Sequence, residues 1–124
     1  DCDVIQADAG TRTAAITGAW MALYKGCERL VEKGVLASNP VVKQVAAVSV
    51  GLVKEKLLLD LDYSEDSNAD VDLNVVMTSD GCFLEVQGTS EGTPMTRQDL
   101  NQSLDLAEAG LRRLHADQCS FLDG

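Results

Sequence analysis

The sequence predicts an α+β domain, a mixed or antiparallel sheet with helices packed on it, in the order strand, helix, four strands, helix. Three observations carry that prediction. Helix-forming patterns fall at 11–33 and 96–116, towards the two ends of the chain. Between them lie runs of strand length, apolar or alternating, separated by turn residues at 54–56 and 79–81. A chain of 124 residues with 45% hydrophobic side chains has enough apolar material for one core, so 1–124 reads as a single domain.

Cys2, Val4 and Gln6 alternate with Asp3, Ile5 and Ala7, which predicts a short first strand. Such a strand needs a partner edge, expected from upstream sequence or from another chain. Residues 9–13 end it and open a helix from Thr11 or Thr13 to about Lys33. Ala14, Ala15, Gly18, Ala19 and Ala22 precede the bulkier Leu23, Leu30 and Val31, and small residues at this spacing predict first turns buried against the sheet. Gly34 follows as a C-cap, and Asn39-Pro40 marks the turn beyond. Gly26 costs a helix interior about 1 kcal/mol relative to alanine, so one helix and two abutting helices are both open.

Gln44 to Val53 is almost continuously apolar and predicts a central strand covered on both faces. After the turn at 54–56 comes the most acidic stretch, 57–77. At a two-residue period Leu57, Leu59, Leu61 and Tyr63 fall on one face, and Asp60, Asp62 and Asp66 share the other parity. Asp70, Asp72 and Asn74 then alternate with Val71, Leu73 and Val75. Carboxylates so close repel one another, and a cation would let them ionise together. Mg²⁺ suits hard oxygen ligands of this kind, while a solvated sheet face is the other reading of the same pattern. Ser79-Asp80-Gly81 predicts a hairpin between the strands ending at Thr78 and starting at Cys82, and Gly88, Gly92 and Pro94 close the sheet region. Thr96 with Asp99 forms a capping-box pattern, followed by a stripe of Leu100, Leu104, Ala107, Leu111 and Leu114 to about Ala116.

Twenty acidic and ten basic side chains give a net charge of −10, which by itself repels nucleic acid and anionic membrane surfaces. No run has the length of a membrane span, and no basic-then-apolar signal segment opens the chain. Cys2, Cys27, Cys82 and Cys119 are scattered without a CxxC pair, which reads as reduced thiols in a cytoplasmic protein. The single histidine, His115, falls near the end of the last helix, where the dipole favours a cation. It takes no catalytic role.

Gly10, Thr11, Arg12 and Thr13 form a second unit of interest. Glycine lets the backbone approach a ligand, the helix start offers unpaired amides, and Arg12 adds a planar fork suited to phosphate oxygens. An ordinary helix cap is the alternative. A phosphate clamp beside a Mg²⁺ site would supply the two parts that phosphoryl transfer needs.

These residues resemble the second part of ribonuclease PH, a family of phosphate-dependent exoribonucleases. The matching strings are DCDVIQADAGTRTAAITGAW at 1–20, AAVSVGLV at 46–53, LLLDLDYSEDSNADVDLNVVMT at 57–78, EVQGTSEG at 85–92 and LDLAEAGLRRL at 104–114. The resemblance implies the ribonuclease PH domain, a ribosomal protein S5 domain 2-like fold, lacking its N-terminal strands. It implies phosphorolysis of tRNA 3′ ends with release of nucleoside diphosphates, using inorganic phosphate and Mg²⁺ or Mn²⁺. Residue by residue, the family's phosphate motif matches Gly10, Thr11, Arg12 and Thr13, and its metal-binding acids match Asp60 and Asp66. Arg12, Asp60 and Asp66 are thus the expected catalytic set. The expected partners are RNA and further copies of the chain, as a hexameric ring of dimers when complete, with no membrane.

Two departures accompany the match. Ala9 stands where the family has the first of two glycines, and the strands that carry another phosphate-binding arginine are absent. Two rival functions follow: a non-catalytic fragment or ring-assembly subunit of the same fold, and a Mg²⁺ nuclease that uses water in place of phosphate.

Overall fold

A computed structural model describes residues 1–124. It contains α1 (Thr11–Glu32), β1 (Val45–Val53), β2 (Lys56–Leu59), the one-turn α2 (Tyr63–Asp66), β3 (Val71–Thr78), β4 (Phe83–Ser90) and α3 (Arg97–Asp123). The strands form one sheet in the order β2-β1-β3-β4, and each neighbouring pair is antiparallel. β1 is therefore internal, as its apolar run predicts, and Ala46 to Gly51 are buried without interruption.

Cross-strand partners share a face, which sorts the sheet into two unlike sides. Ala46, Val48 and Val50 of β1 stand opposite Met77, Val75 and Leu73 of β3. On this apolar side α3 lays Ala107 and Leu111, completing the core, with Leu57 and Leu59 packed against it. On the opposite side Ala47, Ser49 and Gly51 stand against Val76, Asn74 and Asp72. The alternation of Asp72 and Asn74 with Val71, Leu73 and Val75 holds, because a strand with one apolar face must set its polar residues on the other.

β1 outruns β2: only Val50 to Val53 pair with it. The uncovered half of that edge finds other partners. Thr17 Oγ1 accepts from the Ala47 amide at 3.0 Å, Gln118 Nε2 donates to the Val45 carbonyl at 3.1 Å, and the Asp60 amide donates to the Ser49 carbonyl at 2.8 Å. This requirement decides which face α1 turns inward. Thr13, Thr17, Trp20, Tyr24 and Cys27 recur at helical spacing on the inner side, and Trp20 Nε1 donates to the Lys43 carbonyl at 2.7 Å. The small-residue stripe does not bury the first turns: Ala14, Gly18, Ala19 and Ala22 are exposed. A strand edge with unmet amides and carbonyls calls for hydroxyl and indole partners, which alanine cannot supply. α1 is one unbroken helix through Gly26, ending at Gly34, whose φ of 71° and amide bond to the Val31 carbonyl make the expected cap.

Three further expectations change. Residues 1–10 form no strand; no edge pairs with them, and Ile5 is fully exposed. The segment is instead tied by Asp8 Oδ1, which accepts the Tyr63 amide at 2.8 Å, and by a Cys2 Sγ contact to the Ala15 carbonyl at 3.9 Å. The acidic strand stops at Leu59, because Asp60 takes a left-handed φ of 57° and turns the chain. Leu61 consequently packs on Gly51, on the side opposite Leu57 and Leu59, and Tyr63 is exposed. Finally, α3 runs seven residues past Ala116, to Asp123, so His115 lies inside the helix, buried, rather than at its end.

The reason α3 continues is Gln118. Its fully buried amide donates to the carbonyls of Thr17 and Val45, both at 3.1 Å, and accepts from Gln44 Nε2 at 2.9 Å. His115 Nδ1 lies 3.3 Å from the same oxygen. One side chain thus joins α3 to α1 and β1. Gln118→Leu, which removes three buried hydrogen bonds at once, is expected to cost about 2–3 kcal/mol, read from the urea midpoint at unchanged slope.

At the far hairpin Lys43 Nζ pairs with Asp80, and this hydrogen bond together with that from Thr78 lowers the Asp80 carboxyl from 3.8 to about 2. A depressed carboxyl stabilises the fold above its ordinary value and loses that contribution as pH falls through the folded one. Asp80→Asn should therefore lower stability slightly at neutral pH, flatten the acid-unfolding curve between about pH 4 and pH 2, and match the parent below that window; the pair is exposed, so the effect is small. No helix of the chain is long and apolar enough to cross a membrane.

Candidate active site

The polar side of the sheet meets the start of α1. Gly10 is its N-cap, with φ 66° and ψ 24° and no side-chain cap, and the first helical bond runs from the Ala14 amide to the Gly10 carbonyl at 3.0 Å. The amides of Thr11, Arg12 and Thr13 therefore lack helical acceptors and carry the positive end of a 22-residue dipole. The first turn contains no acidic residue to occupy them. Only Gly10 has the left-handed backbone; Ala9 does not. The alanine in place of the family's first glycine is thus compatible with this loop.

Asp60 stands against the same glycine. A Cβ placed on Gly10 would lie 3.3 Å from Thr13 Oγ1, 3.5 Å from Ser49 Oγ and 3.8 Å from Asp60 Oδ1. Residues distant in sequence thus converge on one backbone atom with no side chain between them. The left-handed turn at Asp60 and the bond from its amide to the Ser49 carbonyl hold it there. Ser49 Oγ is buried and has no hydrogen-bond partner, an uncompensated hydroxyl facing the helix start. Such a group normally costs about 1–3 kcal/mol unless something polar meets it.

Thr13 has a narrower role than its motif implies. Its hydroxyl donates to the Gly10 carbonyl at 2.9 Å, so it shapes the loop. Thr11 has no such bond and is partly exposed. Arg12 is exposed and forms a bidentate pair with Glu85 of β4, Nη1 to Oε1 and Nη2 to Oε2, each at 2.9 Å. The hydrogen bond and charge of each partner lower the Glu85 carboxyl and raise the Arg12 guanidinium.

Asp66 closes α2, its amide bonded to the Asp62 carbonyl at 2.9 Å. Its carboxylate acts on Asp72: burial first, then the charges of Asp66 and Glu91, push the Asp72 carboxyl up against the opposing hydrogen bond from Asn74. Asp60 and Asp66 therefore leave the single strand face read from their parity, the first turning to Gly10 and the second to the Asp72 end of the polar side. No three His, Cys, Asp or Glu side chains form a ready metal cage. Mg²⁺ needs only one or two carboxylates when phosphate and water complete its shell. Asp60 and Asp66 are both exposed carboxylates, hard oxygen donors of the kind such an ion takes, and Asp60 shares the start of α1 with the unpartnered Ser49 hydroxyl.

Asp62 and Glu65 acquire a structural role. Asp62 accepts the Glu65 amide at 2.8 Å while Glu65 accepts the Asp62 amide at 3.0 Å, a reciprocal cap on α2. The spacing of Asp62 and Glu65 carries this signal, and it explains two of the acids without a metal. Ser49 and Glu85 were not legible as site residues: the first sits in an apolar run and the second in an edge strand, and only pairing brings them to α1.

A family model described as the 3′ exoribonuclease family, domain 2, matches residues 43–110, more than half the chain. The chain belongs to the 3′ exoribonuclease family. Among curated relatives it is 68% identical over 122 residues to ribonuclease PH of Prochlorococcus marinus (strain MIT 9313), covering 98% of this chain and 50% of that one. It is 59% identical over 122 residues to ribonuclease PH of Corynebacterium glutamicum (strain R), again covering 98% and 50%. The chain thus spans about half the length of the curated relatives it matches. In three dimensions it resembles an archaeal exosome core with a TM-score of 0.57 at 22% identity, over 64% of this chain and 32% of the other. An Archaeoglobus fulgidus exosome with RNA bound to the active site gives a TM-score of 0.56 at 20% identity, over 71% and 35%. At those identities the likeness shows a shared α+β fold alone.

Proposed function

We propose that this chain is the phosphate- and metal-holding part of a phosphate-dependent 3′ to 5′ exoribonuclease that trims the 3′ ends of tRNA precursors. The observation that carries the reading is the open helix start at Gly10 with Asp60 beside it, in a member of a 3′ exoribonuclease family. Inorganic phosphate lies on the amides of Thr11 to Thr13, with the Thr11 hydroxyl and the Arg12 guanidinium as further donors. A phosphate oxygen attacks the terminal phosphodiester phosphorus, the preceding ribose O3′ leaves and takes a proton, and a nucleoside diphosphate departs. Asp60 and Asp66 would hold Mg²⁺ or Mn²⁺, which when bound neutralises charge on the transferring phosphoryl group. Phosphate is already an anionic nucleophile, so the chain's main work is placement and charge compensation.

With a net charge of −10 the chain needs basic surface from elsewhere to hold RNA, supplied by the family's N-terminal part or by neighbouring copies in a ring of dimers. Four free cysteines fit a reducing cytoplasmic setting. The test is phosphate dependence: the native protein, given a tRNA with extra 3′ nucleotides, should release nucleoside diphosphates only when phosphate is present. Release of monophosphates without phosphate would establish the hydrolytic alternative, and no turnover under any condition would leave a ring-assembly role. Arg12→Ala is expected to raise the KM for phosphate by about 10- to 100-fold, the loss of one charge-assisted contact.

A further inference from the structure

Resting on the phosphate reading above, we infer that Glu85 is a positioning residue that presents the Arg12 guanidinium to the anion at the start of α1. The strand that carries Glu85 is built to reach there. Val76 pairs with Glu85, but Met77 pairs with Phe83, so Leu84 is an extra residue in β4. In a regular strand Phe83 and Glu85 would share a face. The bulge instead sets Phe83 on the side of Met77 and Glu85 on the side of Val76 and Ala47, the polar side. Bulges commonly re-aim a side chain beside an active site.

The geometry of the pair leaves Arg12 usable. Glu85 takes one hydrogen from each Nη, end on, and Nε has no partner, so the second edge of the fork remains free for an oxyanion. Arg12 needs such a tether. It is the second residue of α1, where the helix dipole repels a cation, and no acid in its own first turn balances it. A free arginine there would spread over many rotamers in solvent; with side chains 53% and 37% exposed, only the pair itself restrains them. As stability, an exposed pair counts for little, so its two-point geometry is better explained by orientation than by folding.

The test measures binding of inorganic phosphate to the native protein by calorimetry, together with phosphate KM and kcat, for Glu85→Ala, Glu85→Gln, Glu85→Asp, Arg12→Ala and the Arg12→Ala/Glu85→Ala double variant. Glu85→Ala should weaken phosphate about 10-fold in Kd and KM, with kcat at saturating phosphate changed less than 3-fold. Glu85→Asp should recover part of the loss and Glu85→Gln less, and all should melt as the parent does. The double variant should bind no worse than Arg12→Ala alone, because Glu85 acts through Arg12. Unchanged or tighter phosphate binding in Glu85→Ala overturns the inference, since a decorative or competing carboxylate gives that result. If Arg12→Ala also leaves binding unchanged, or the parent binds no phosphate, the phosphate site itself is wrong.

Discussion

Under the proposed function, Asp60→Asn is expected to lower phosphorolytic turnover by about 10²- to 10³-fold while the protein melts at its parent temperature. The magnitude is that of losing one preorganised electrostatic group at a phosphoryl-transfer centre. Asparagine is chosen because it keeps the side-chain size and tolerates the left-handed φ of 57° at this position, so the turn that ends β2 survives. Only the charge beside Gly10 disappears. The variant should also lose any stabilisation by added Mg²⁺ or Mn²⁺, readable as a missing rise in melting temperature, which separates loss of the ion from loss of RNA. If Asp60→Asn retained full turnover, the carboxylate at the helix start would be a structural feature only.

Gly51→Val is expected to weaken both fold and site. A Cβ at this position would lie 2.4 Å from Leu61 Cδ1 and 3.2 Å from the Val71 carbonyl, and the central strand cannot recede because both its neighbours are hydrogen-bonded to it. Overpacking of this kind costs about 1–3 kcal/mol, and the upper part of that range is expected where backbone is among the atoms struck. The Leu61 side chain must shift, and because Leu61 follows Asp60 directly the turn is expected to shift with it. Turnover should therefore fall further than the unfolded fraction accounts for, with melting and activity measured on the same sample. Gly51→Ala, with less to accommodate, should show the same two effects at smaller size. A fall in stability with normal specific activity would show that Asp60 is held by its amide bond to Ser49 and not by the packing of Leu61.

Much of the helical and strand content was readable because it rests on local pattern. The Thr96–Asp99 cap, Gly34 as the end of α1, the buried run of β1 and the alternation around Asp72 all follow from interactions within a few residues or from one period. The motif at Gly10 was readable too, since it needs only a helix start and a residue free to take positive φ. The acidic strand failed for an equally local reason that periodicity does not register. A single left-handed residue at Asp60 reverses the parity of everything after it, so Leu61 leaves the face of Leu57 and Leu59. The inward face of α1 departs from the small-residue stripe because the uncovered half of β1 takes a hydrogen bond from Thr17, and the Lys43 carbonyl just before it takes one from Trp20.

The sequence by itself determined the class of fold and the family and singled out two groups of residues, because those depend on composition, local pattern and motif. Only the tertiary structure decided how the clusters meet. Gly10 faces Asp60 and Ser49 because β2 turns where it does, and Arg12 reaches Glu85 because a bulge in β4 rotates one carboxylate to the polar side. Such juxtapositions depend on strand order and register, to which residues far apart in the chain contribute jointly, and no stretch of sequence carries them alone.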